Sequence, residues 1–296
     1  FIEKIFHVFD VLDGKQNKLE AQIRSAEPRR VFEIAREADA EMRELLSEYH
    51  ENDIAGIFDE LTPQERDHLL DILGSELMSD VVAFLDDAGE YLAELDADDA
   101  AEIIEQMDAD DAHEVLDELD EQTRSEILEL IEDEEIKEEI ELIDSYDDDE
   151  FGSRMSTNFI AVKRNSTIKE TMRTLVSEAA ENDNIHTLFV TDGESFYGAV
   201  DLKELIVARS DTPFEELIYT AFPFVYDHDS ISENIERLRG YSENMIPVLS
   251  SENDTILGVI TSTDIIELVD EERGDDYAKL AALSSEQEPD EPLFTS

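Results

Sequence analysis

The first half of the chain carries apolar residues at the spacing of short amphipathic helices. Apolar residues three or four positions apart lie on one face of a helix. Three such clusters are Ile103, Ile104 and Met107, then Val115, Leu116 and Leu119, then Ile127, Leu128 and Ile131. Each of Leu95, Met107 and Leu119 is followed by an aspartate, at a period of twelve residues. Because twelve residues hold about two helical turns and a tight connection, we predict helices that stack as a superhelix.

Further helices are predicted around this repeat. Three precede it, over residues 2–13, 18–25 and 28–46, and a longer one follows over 126–146, ahead of a break at Phe151 and Gly152. A helix start is predicted after Leu61, because Thr62 can cap the helix, Pro63 suits its first position and Glu65 completes a capping box.

From about residue 155 the pattern changes to short apolar strands that alternate with helices. The order strand, helix, strand, strand, helix occurs twice. Strands are predicted over 159–162, 188–190, 197–200, 224–226, 245–249 and 257–261, and helices over 167–180, 202–209, 230–239 and 263–272. Gly198 and Gly258 lie 60 residues apart, as do Glu204 and Asp264. The predicted fold class is therefore α+β, an all-α superhelical domain followed by a tandem pair of β-α-β-β-α units.

The charge of the chain is strongly one-sided. Acidic residues number 80 against 22 basic ones, a formal net charge of −58. Residues 86–150 alone hold 31 acids and two bases, a net of −29. Self-repulsion of this size opposes a compact fold at low ionic strength, yet 41% of the residues are hydrophobic and a large core is possible. We interpret the acids as the surface of a folded domain that cations neutralise.

Adaptation to a salty cytoplasm is an alternative explanation of the acidity. A global adaptation would lower the number of basic residues evenly along the chain. The second half instead keeps bases such as Lys163, Arg164, Arg237 and Arg239, while the acidic stretch 86–150 has only Arg124 and Lys137. The uneven distribution therefore favours a local role for the acidic surface.

Several function classes are excluded or opposed by composition. The chain has no cysteine, which excludes disulfides and thiolate metal sites. No run approaches the roughly 18 apolar residues of a membrane helix, so we expect a soluble chain without a signal peptide, cut from something longer. Nucleic-acid binding is opposed because basic clusters are missing. We find no nucleophile with its base, no phosphate-binding glycine loop and no histidine spacing for metal, and therefore expect no enzyme.

Two sequence motifs in the second half carry a family resemblance. The second copy contains Gly258-Val259-Ile260-Thr261-Ser262-Thr263-Asp264, and the first contains Gly198-Ala199-Val200-Asp201-Leu202-Lys203-Glu204. The pair resembles tandem cystathionine-β-synthase (CBS) modules, although the first copy has Asp and Glu where Thr and Asp are usual. Together with the acidic helices, and with a tail from Tyr277 to Pro292 similar to a connecting helix, the chain resembles the cytosolic half of MgtE-type magnesium transporters.

This resemblance implies a division into five segments. They are an acidic helical domain over 1–146, a linker over 147–154, a first CBS domain over 155–211, a second over 212–273, and a connecting helix and tail over 274–296. It also implies a homodimer formed through the CBS domains, at the cytoplasmic face of the cell membrane. The pore would be a membrane domain of the same polypeptide that this chain does not contain. Such a region senses Mg²⁺ and holds the pore shut when Mg²⁺ is plentiful.

The resemblance also assigns metal-binding positions. On the second CBS copy and the connecting helix they are Asp264, Glu267, Glu272, Asp275 and Asp276, and elsewhere they are Asp80, Asp110, Asp111 and the backbone at Gly152. Mg²⁺ prefers oxygen ligands and keeps several waters, so one or two carboxylates from each facing surface suffice. These acids also have ordinary explanations that involve no metal. They can form a solvated helix face, and Asp111 can support a helix start that Asp108 caps.

Two further points follow from the CBS resemblance. The family has acids at the start of the second copy, where this chain has Ser230 and Ser232, so we expect the ion site formed by those acids to be lost. Glu233 is expected to be the capping partner of Ser230. CBS pairs also often hold adenine nucleotides, and Asp201, Thr261 and Asp264 could contact a ribose. A module that senses ATP or another adenine nucleotide, without direct Mg²⁺ gating, is therefore the alternative function.

Overall fold

The computed structural model describes residues 49–179, 184–209 and 211–269, together with 40, 42–46 and 182. Its contacts divide into two compact units, one ending at Ile140 and the other beginning at Glu141. The helices predicted over 2–13 and 18–25 lie outside the described residues. Of the helix predicted over 28–46, the described residues 42–46 are helical.

Short helices make up the described part of the first unit. They are α1 (Glu51–Ala55), α2 (Pro63–Leu73), α3 (Ser75–Val82), α4 (Ala88–Leu92), α5 (Ala97–Ile104), α6 (Ala109–Asp117), α7 (Glu121–Leu130) and α8 (Glu134–Ile143), with a 3-10 turn over Phe58–Glu60. Alternate helices pack on one another: α1 on α3, α3 on α5, α5 on α7, and α4 on α6. This stacking confirms the all-helical prediction, and its buried core includes Met78, Ile103, Ile104, Leu116 and Ile127.

The starts of these helices follow the sequence signals. Asp96, Asp108 and Asp120 are the N-cap residues of α5, α6 and α7, as the twelve-residue repeat predicts. The capping box before α2 is also present, since the Glu65 carboxylate accepts a hydrogen bond from the Thr62 N–H at 2.8 Å. Asp120 accepts hydrogen bonds from the Gln122 and Thr123 N–H groups, so side-chain capping is formed at the starts of α2 and α7.

The prediction of one helix over 126–146 is wrong. The chain forms α7 and α8 instead, separated by residues 131–133. The Glu105 carboxylate, which follows α5, accepts hydrogen bonds from the backbone N–H groups of Glu132 and Asp133. The Asp133 side chain in turn accepts from the Glu135 N–H at 2.9 Å, at the start of α8. A contact 27 residues away in sequence thus holds the break open.

The second unit contains two three-stranded sheets of the same topology. The first is built from β1 (Ile160–Lys163), β2 (Thr187–Asp192) and β3 (Ser195–Asp201), and the second from β4 (Val225–Tyr226), β5 (Met245–Leu249) and β6 (Ile256–Thr261). In both sheets the first strand is parallel to the second and the third is antiparallel to it. The helices are α9 (Ile168–Glu178), α10 (Leu202–Val207), α11 (Ile231–Leu238) and α12, over residues 262–269. The predicted β-α-β-β-α duplication is confirmed.

The two copies are joined by an exchange of backbone segments. Ser156, at the start of the first copy, pairs with Val259 in β6 through two hydrogen bonds of 2.8 and 2.9 Å. Tyr219, between the two copies, pairs in the same way with Ala199 in β3. Both sheets also contribute to a shared apolar cluster that contains Phe189 and Met245. The duplicated copies therefore form one body.

Candidate metal sites

The acidic residues predicted as ligands in the first unit lie on two helices. Asp80 is exposed in the last turn of α3, and Asp110 and Asp111 are half-buried in the first turn of α6. Asp108 precedes them as the N-cap residue. The positive end of the α6 dipole attracts negative charge to this helix start. These carboxylates are oxygen donors of the kind that Mg²⁺ prefers, placed at a helix start that also explains their presence.

Asp264 in the second unit has a structural role. Its two carboxylate oxygens accept hydrogen bonds from the Thr261 backbone N–H at 2.6 Å and the Thr261 hydroxyl at 2.7 Å. The Thr261 hydroxyl oxygen accepts from the Asp264 N–H at 3.2 Å. This reciprocal pair caps the start of α12. Each carboxylate oxygen keeps a further lone pair, so capping and metal binding are compatible at Asp264.

Of the four other ligands predicted near Asp264, the structure describes one. Glu267 is exposed, three residues after Asp264 in α12. Glu272, Asp275 and Asp276 lie outside the described residues. Within each unit, no three of the predicted ligands that the structure describes come together as one metal-binding group.

Gly152 is required by packing. It lies in a 3-10 turn, Phe151–Arg154, where an added Cβ would approach ring atoms of Tyr146 to 2.5 Å. Burial raises the pKa of Tyr146 to about 12, and the nearby Asp227 charge adds to the shift. The phenol therefore stays protonated and donates a long hydrogen bond of 3.4 Å to Asp227. The metal-binding role of the Gly152 backbone stays a prediction.

Asp149 makes a contact that the sequence reasoning missed. Its carboxylate accepts hydrogen bonds from the Ser230 hydroxyl at 2.7 Å, the Ser232 backbone N–H at 2.9 Å and the Ser232 hydroxyl at 3.2 Å. Ser230 is the N-cap of α11 and accepts from the Glu233 N–H at 3.3 Å, as predicted. Asp149 thus places a carboxylate beside the two serines that stand where the resemblance implies acids. The only sequence signal was the acidic run over 147–150.

Removing this carboxylate tests its structural contribution. We expect Asp149→Ala to lower the free energy of unfolding of the second unit by about 1–2 kcal/mol, because the start of α11 loses a side-chain acceptor. Urea unfolding measures the change. Asp148→Ala removes the same charge from the neighbouring exposed residue and is expected to change stability by less than about 0.5 kcal/mol. Equal losses in the two variants would contradict the assignment.

His228 gives this region a pH dependence. Its Nδ1 lies 3.0 Å from the Glu150 carboxylate, and this hydrogen bond raises the pKa of His228, with the charges of Asp227, Glu150 and Asp147 adding to the shift. A raised pKa in the folded state means that the contact stabilises the fold fully below about pH 6.5. The stabilisation is lost as pH rises through the higher, folded-state pKa.

The His228 titration can be followed by NMR of the imidazole. We expect its midpoint to lie above about 6.5 in the unaltered chain and to fall towards that value in Glu150→Gln, which removes the carboxylate charge. Glu233→Gln, on the exposed start of α11, serves as the control and is expected to leave the midpoint unchanged. A midpoint insensitive to Glu150→Gln would show that the contact is not formed in solution.

A cleft of about 620 Å³ lies within the second unit. Its walls include Asp201, Glu204, Glu243 and one base, Lys203. Asp201 is the N-cap of α10 and accepts from the Lys203 N–H at 2.7 Å. Of the three residues predicted to contact a ribose, only Asp201 lines this cleft. Thr261 and Asp264 belong to the corresponding helix start of the second copy, where they bind each other.

Among the residues that the structure describes, no helix is both long and apolar enough to cross a membrane. The described helices are short and carry a charged outer face.

Comparisons with known protein families match both units. Residues 49–149 match the MgtE intracellular N domain, and residues 149–211 and 214–271 match CBS domains. A magnesium transporter MgtE of Enterococcus faecalis is 30% identical over 149 residues, which are 50% of this chain and 33% of that relative. The MgtE of Thermus thermophilus is 29% identical over 140 residues, 47% of this chain and 31% of that relative. The chain thus spans about a third of the length of these curated relatives.

Solved structures show the same architecture. The soluble part of a magnesium transporter aligns with a TM-score of 0.76 and 25% identity, over 88% of this chain and 98% of that one. The cytosolic domain of the Mg²⁺ channel MgtE in complex with ATP aligns with a TM-score of 0.70 and 27% identity, over 77% of this chain and 93% of that one. The α+β fold class is confirmed, and the relatives are named as transporters, in agreement with the expectation of no enzyme.

Proposed function

We propose that this chain, which matches the MgtE intracellular N domain followed by a pair of CBS domains, is the Mg²⁺-sensing cytosolic region of a magnesium transporter or channel. The proposal rests mainly on one observation: the acidic helical unit and the duplicated unit occur together, in the order found in the soluble part of a magnesium transporter. The transporter's pore would be a membrane domain of the same polypeptide, and this region would lie at the cytoplasmic face of the membrane.

The mechanism follows from the charge of the two units. Carboxylates on the helical unit (Asp80, Asp110 and Asp111) and on the CBS unit (Asp264, Glu267 and the acids after it) repel one another when no cation is present. Mg²⁺ bound between them would favour a compact arrangement. A ligand that binds one arrangement more tightly shifts the population towards it. The compact arrangement would hold the pore closed when Mg²⁺ is plentiful.

Exposed apolar side chains support a homodimer formed through the CBS unit. Ile206 and Ile266 are each 63% exposed and lie 60 residues apart, at corresponding positions of α10 and α12. Val207 and Val176 are also exposed, at 66% and 71%. Exposed apolar groups at equivalent positions of a duplicated unit suit a self-complementary, two-fold interface. We retain the segment boundaries 1–146, 147–154, 155–211, 212–273 and 274–296 as part of this proposal.

Limited proteolysis tests the proposal. Raising Mg²⁺ in about 0.15 M KCl, which screens exposed charges beyond about 8 Å, is expected to protect residues 141–154 from cleavage. Additional KCl of the same ionic strength is the control, because screening alone should protect much less than divalent bridging. Cleavage that is unchanged at millimolar Mg²⁺ would rule out the sensor role.

A nucleotide-sensing function is the second candidate, favoured by the cleft of about 620 Å³ and by the neighbouring structure that contains ATP. Three acids and one base line this cleft, so an adenosine moiety suits it better than an uncompensated triphosphate. Calorimetry with AMP and ATP in magnesium-free buffer separates the two functions. Nucleotide binding without Mg²⁺-dependent protection would favour the alternative.

A further inference from the structure

The segment over residues 149–153, predicted from the sequence as part of a linker, is bonded to the second CBS copy. Backbone hydrogen bonds join it to residues 227–231. They run from the Ile231 N–H to the Asp149 carbonyl at 2.7 Å, from the Phe151 N–H to the Asp229 carbonyl at 3.1 Å and from the Gly152 N–H to the Asp227 carbonyl at 2.9 Å. Phe151 is fully buried in the apolar core of that copy, which includes Val225 and Ile246. We call residues 149–153 the strap.

Charge alone would drive the strap away from this surface. The strap begins inside the acidic run Asp147-Asp148-Asp149-Glu150 and pairs with a stretch that contains Asp227 and Asp229. Like charges repel one another at these short separations. The docked arrangement therefore needs groups that offset the repulsion, and these are either a bound cation or neutral hydrogen-bond donors.

Neutral donors reach the carboxylates of the strap. The Asp149 carboxylate accepts hydrogen bonds from the Ser230 hydroxyl and from the hydroxyl and backbone N–H of Ser232, at 2.7–3.2 Å. The Glu150 carboxylate accepts from the Asp147 N–H at 3.0 Å, in addition to the histidine contact described above. Hydrogen bonds to an ionised carboxylate are stronger than those between neutral groups. These donors therefore stabilise the negative charge without a metal.

The carboxylates of the CBS copy that face the strap are satisfied in the same way. Asp227 is 4% exposed, and its carboxylate accepts hydrogen bonds from the His228 and Ser251 N–H groups, both at 3.0 Å. The Asp229 carboxylate accepts from the Tyr226 N–H at 3.0 Å. Because a buried carboxylate with such donors keeps its charge at little cost, the contact needs no cation to hold the two acidic segments together.

We propose that the strap stays docked on the second CBS copy whether or not Mg²⁺ is bound, and that the Mg²⁺-dependent rearrangement acts on the chain before Asp149. The first part rests on the contacts of the strap, and the second part rests on the proposed sensor function. Residues 144, 145, 147 and 148 are exposed, whereas residues 151–153 are buried. Segments with few buried contacts open at the lowest cost in free energy. Of the window 141–154, only the part before the strap then responds to Mg²⁺.

Amide hydrogen exchange of the full chain, resolved at single residues by NMR, tests this division. Exchange is compared in EDTA and in millimolar Mg²⁺, both in about 0.15 M KCl. The bonded amides of Phe151, Gly152 and Ile231 are expected to exchange at rates that agree within about threefold in the two buffers, while the amides of residues 141–148 slow down with Mg²⁺.

The two possible failures of this experiment are distinct. Bonded amides that exchange tenfold or more faster in EDTA, by the order of magnitude that a lost contact produces, would show that the strap needs a metal and overturn the proposal. Amides of residues 141–148 that ignore Mg²⁺, beside bonded amides that stay slow in both buffers, would contradict the sensor role and support the metal-independent strap.

Two variants of Asp149 separate a hydrogen-bond acceptor from a cation ligand. Asp149→Ala is expected to speed exchange of the Ile231 amide by about tenfold, the equivalent of about 1.4 kcal/mol. Asp149→Asn keeps an acceptor oxygen for the Ser232 N–H and removes the negative charge, so a change of at most about threefold is expected. Equal acceleration in both variants would mean that the charge, and so a bound cation, holds the strap. Unchanged exchange in Asp149→Ala would likewise overturn the assignment.

Discussion

Replacing Asp110 with asparagine is expected to raise the Mg²⁺ concentration needed for half-protection of residues 141–154 by about ten- to a hundredfold. Mg²⁺ affinity in carboxylate sites depends steeply on the number of charged ligands, and each tenfold change corresponds to about 1.4 kcal/mol. Asp110 is half-buried at the start of α6 and is the aspartate that the family resemblance assigns to bridging. Limited proteolysis over a Mg²⁺ titration measures the shift directly.

Glu114→Gln is the matched control for this prediction. Glu114 lies on the same helix and is exposed, so its loss lowers the charge of the helical unit by the same amount. A change within about threefold is expected, because screening weakens the effect of an exposed charge that is not a ligand. If both variants shift the midpoint equally, the total charge of the surface, and not a bridging ion, would control the transition.

Local signals in the sequence were sufficient to predict much of the fold. Asp96, Asp108 and Asp120 open helices because a short polar side chain before an apolar period is a local helix start. The duplication was visible for the same reason, since Gly198 and Gly258 repeat at a fixed distance. The break between α7 and α8 was missed because it depends on Glu105, 27 residues away, which no local pattern reports.

The sequence could predict which residues belong to the candidate sites, but not which contacts those residues make. The family resemblance predicts that Asp264 is a metal ligand, whereas only the structure shows that its carboxylate caps α12 through Thr261. The same resemblance implies acids at the positions of Ser230 and Ser232 and predicts a lost site, but the carboxylate of Asp149, 81 residues before Ser230, contacts both serines. The features that the sequence missed are those that depend on contacts between residues far apart in the chain.

The strongest destabilisation is expected from adding one methyl group at Gly258. Gly258 lies in β6, where the segment at Ser156 crosses closely: an added Cβ would lie 2.7 Å from the Ser156 carbonyl oxygen and 2.8 Å from the Met155 side chain. Gly198, its counterpart in β3, meets the Tyr219 carbonyl oxygen at 2.6 Å. Glycine in a strand often marks such an approach of another backbone. The repeated glycines therefore permit the two exchanged bridges that join the copies.

Gly258→Ala and Gly198→Ala are each expected to lower the free energy of unfolding of the CBS unit by about 3 kcal/mol, measured by urea unfolding. A backbone carbonyl cannot rotate away as a side chain can, so relief requires breaking the Ser156–Val259 or Ala199–Tyr219 hydrogen bonds. Gly240→Ala is the control, since its Cβ would meet one carbonyl at 3.2 Å, at the end of α11. A loss below about 1 kcal/mol is expected there. Alanine lowers the entropy of the unfolded chain and by itself favours the fold at all three positions. If all three variants lose the same stability, the close approach of a backbone carbonyl would not be what requires glycine at 258 and 198.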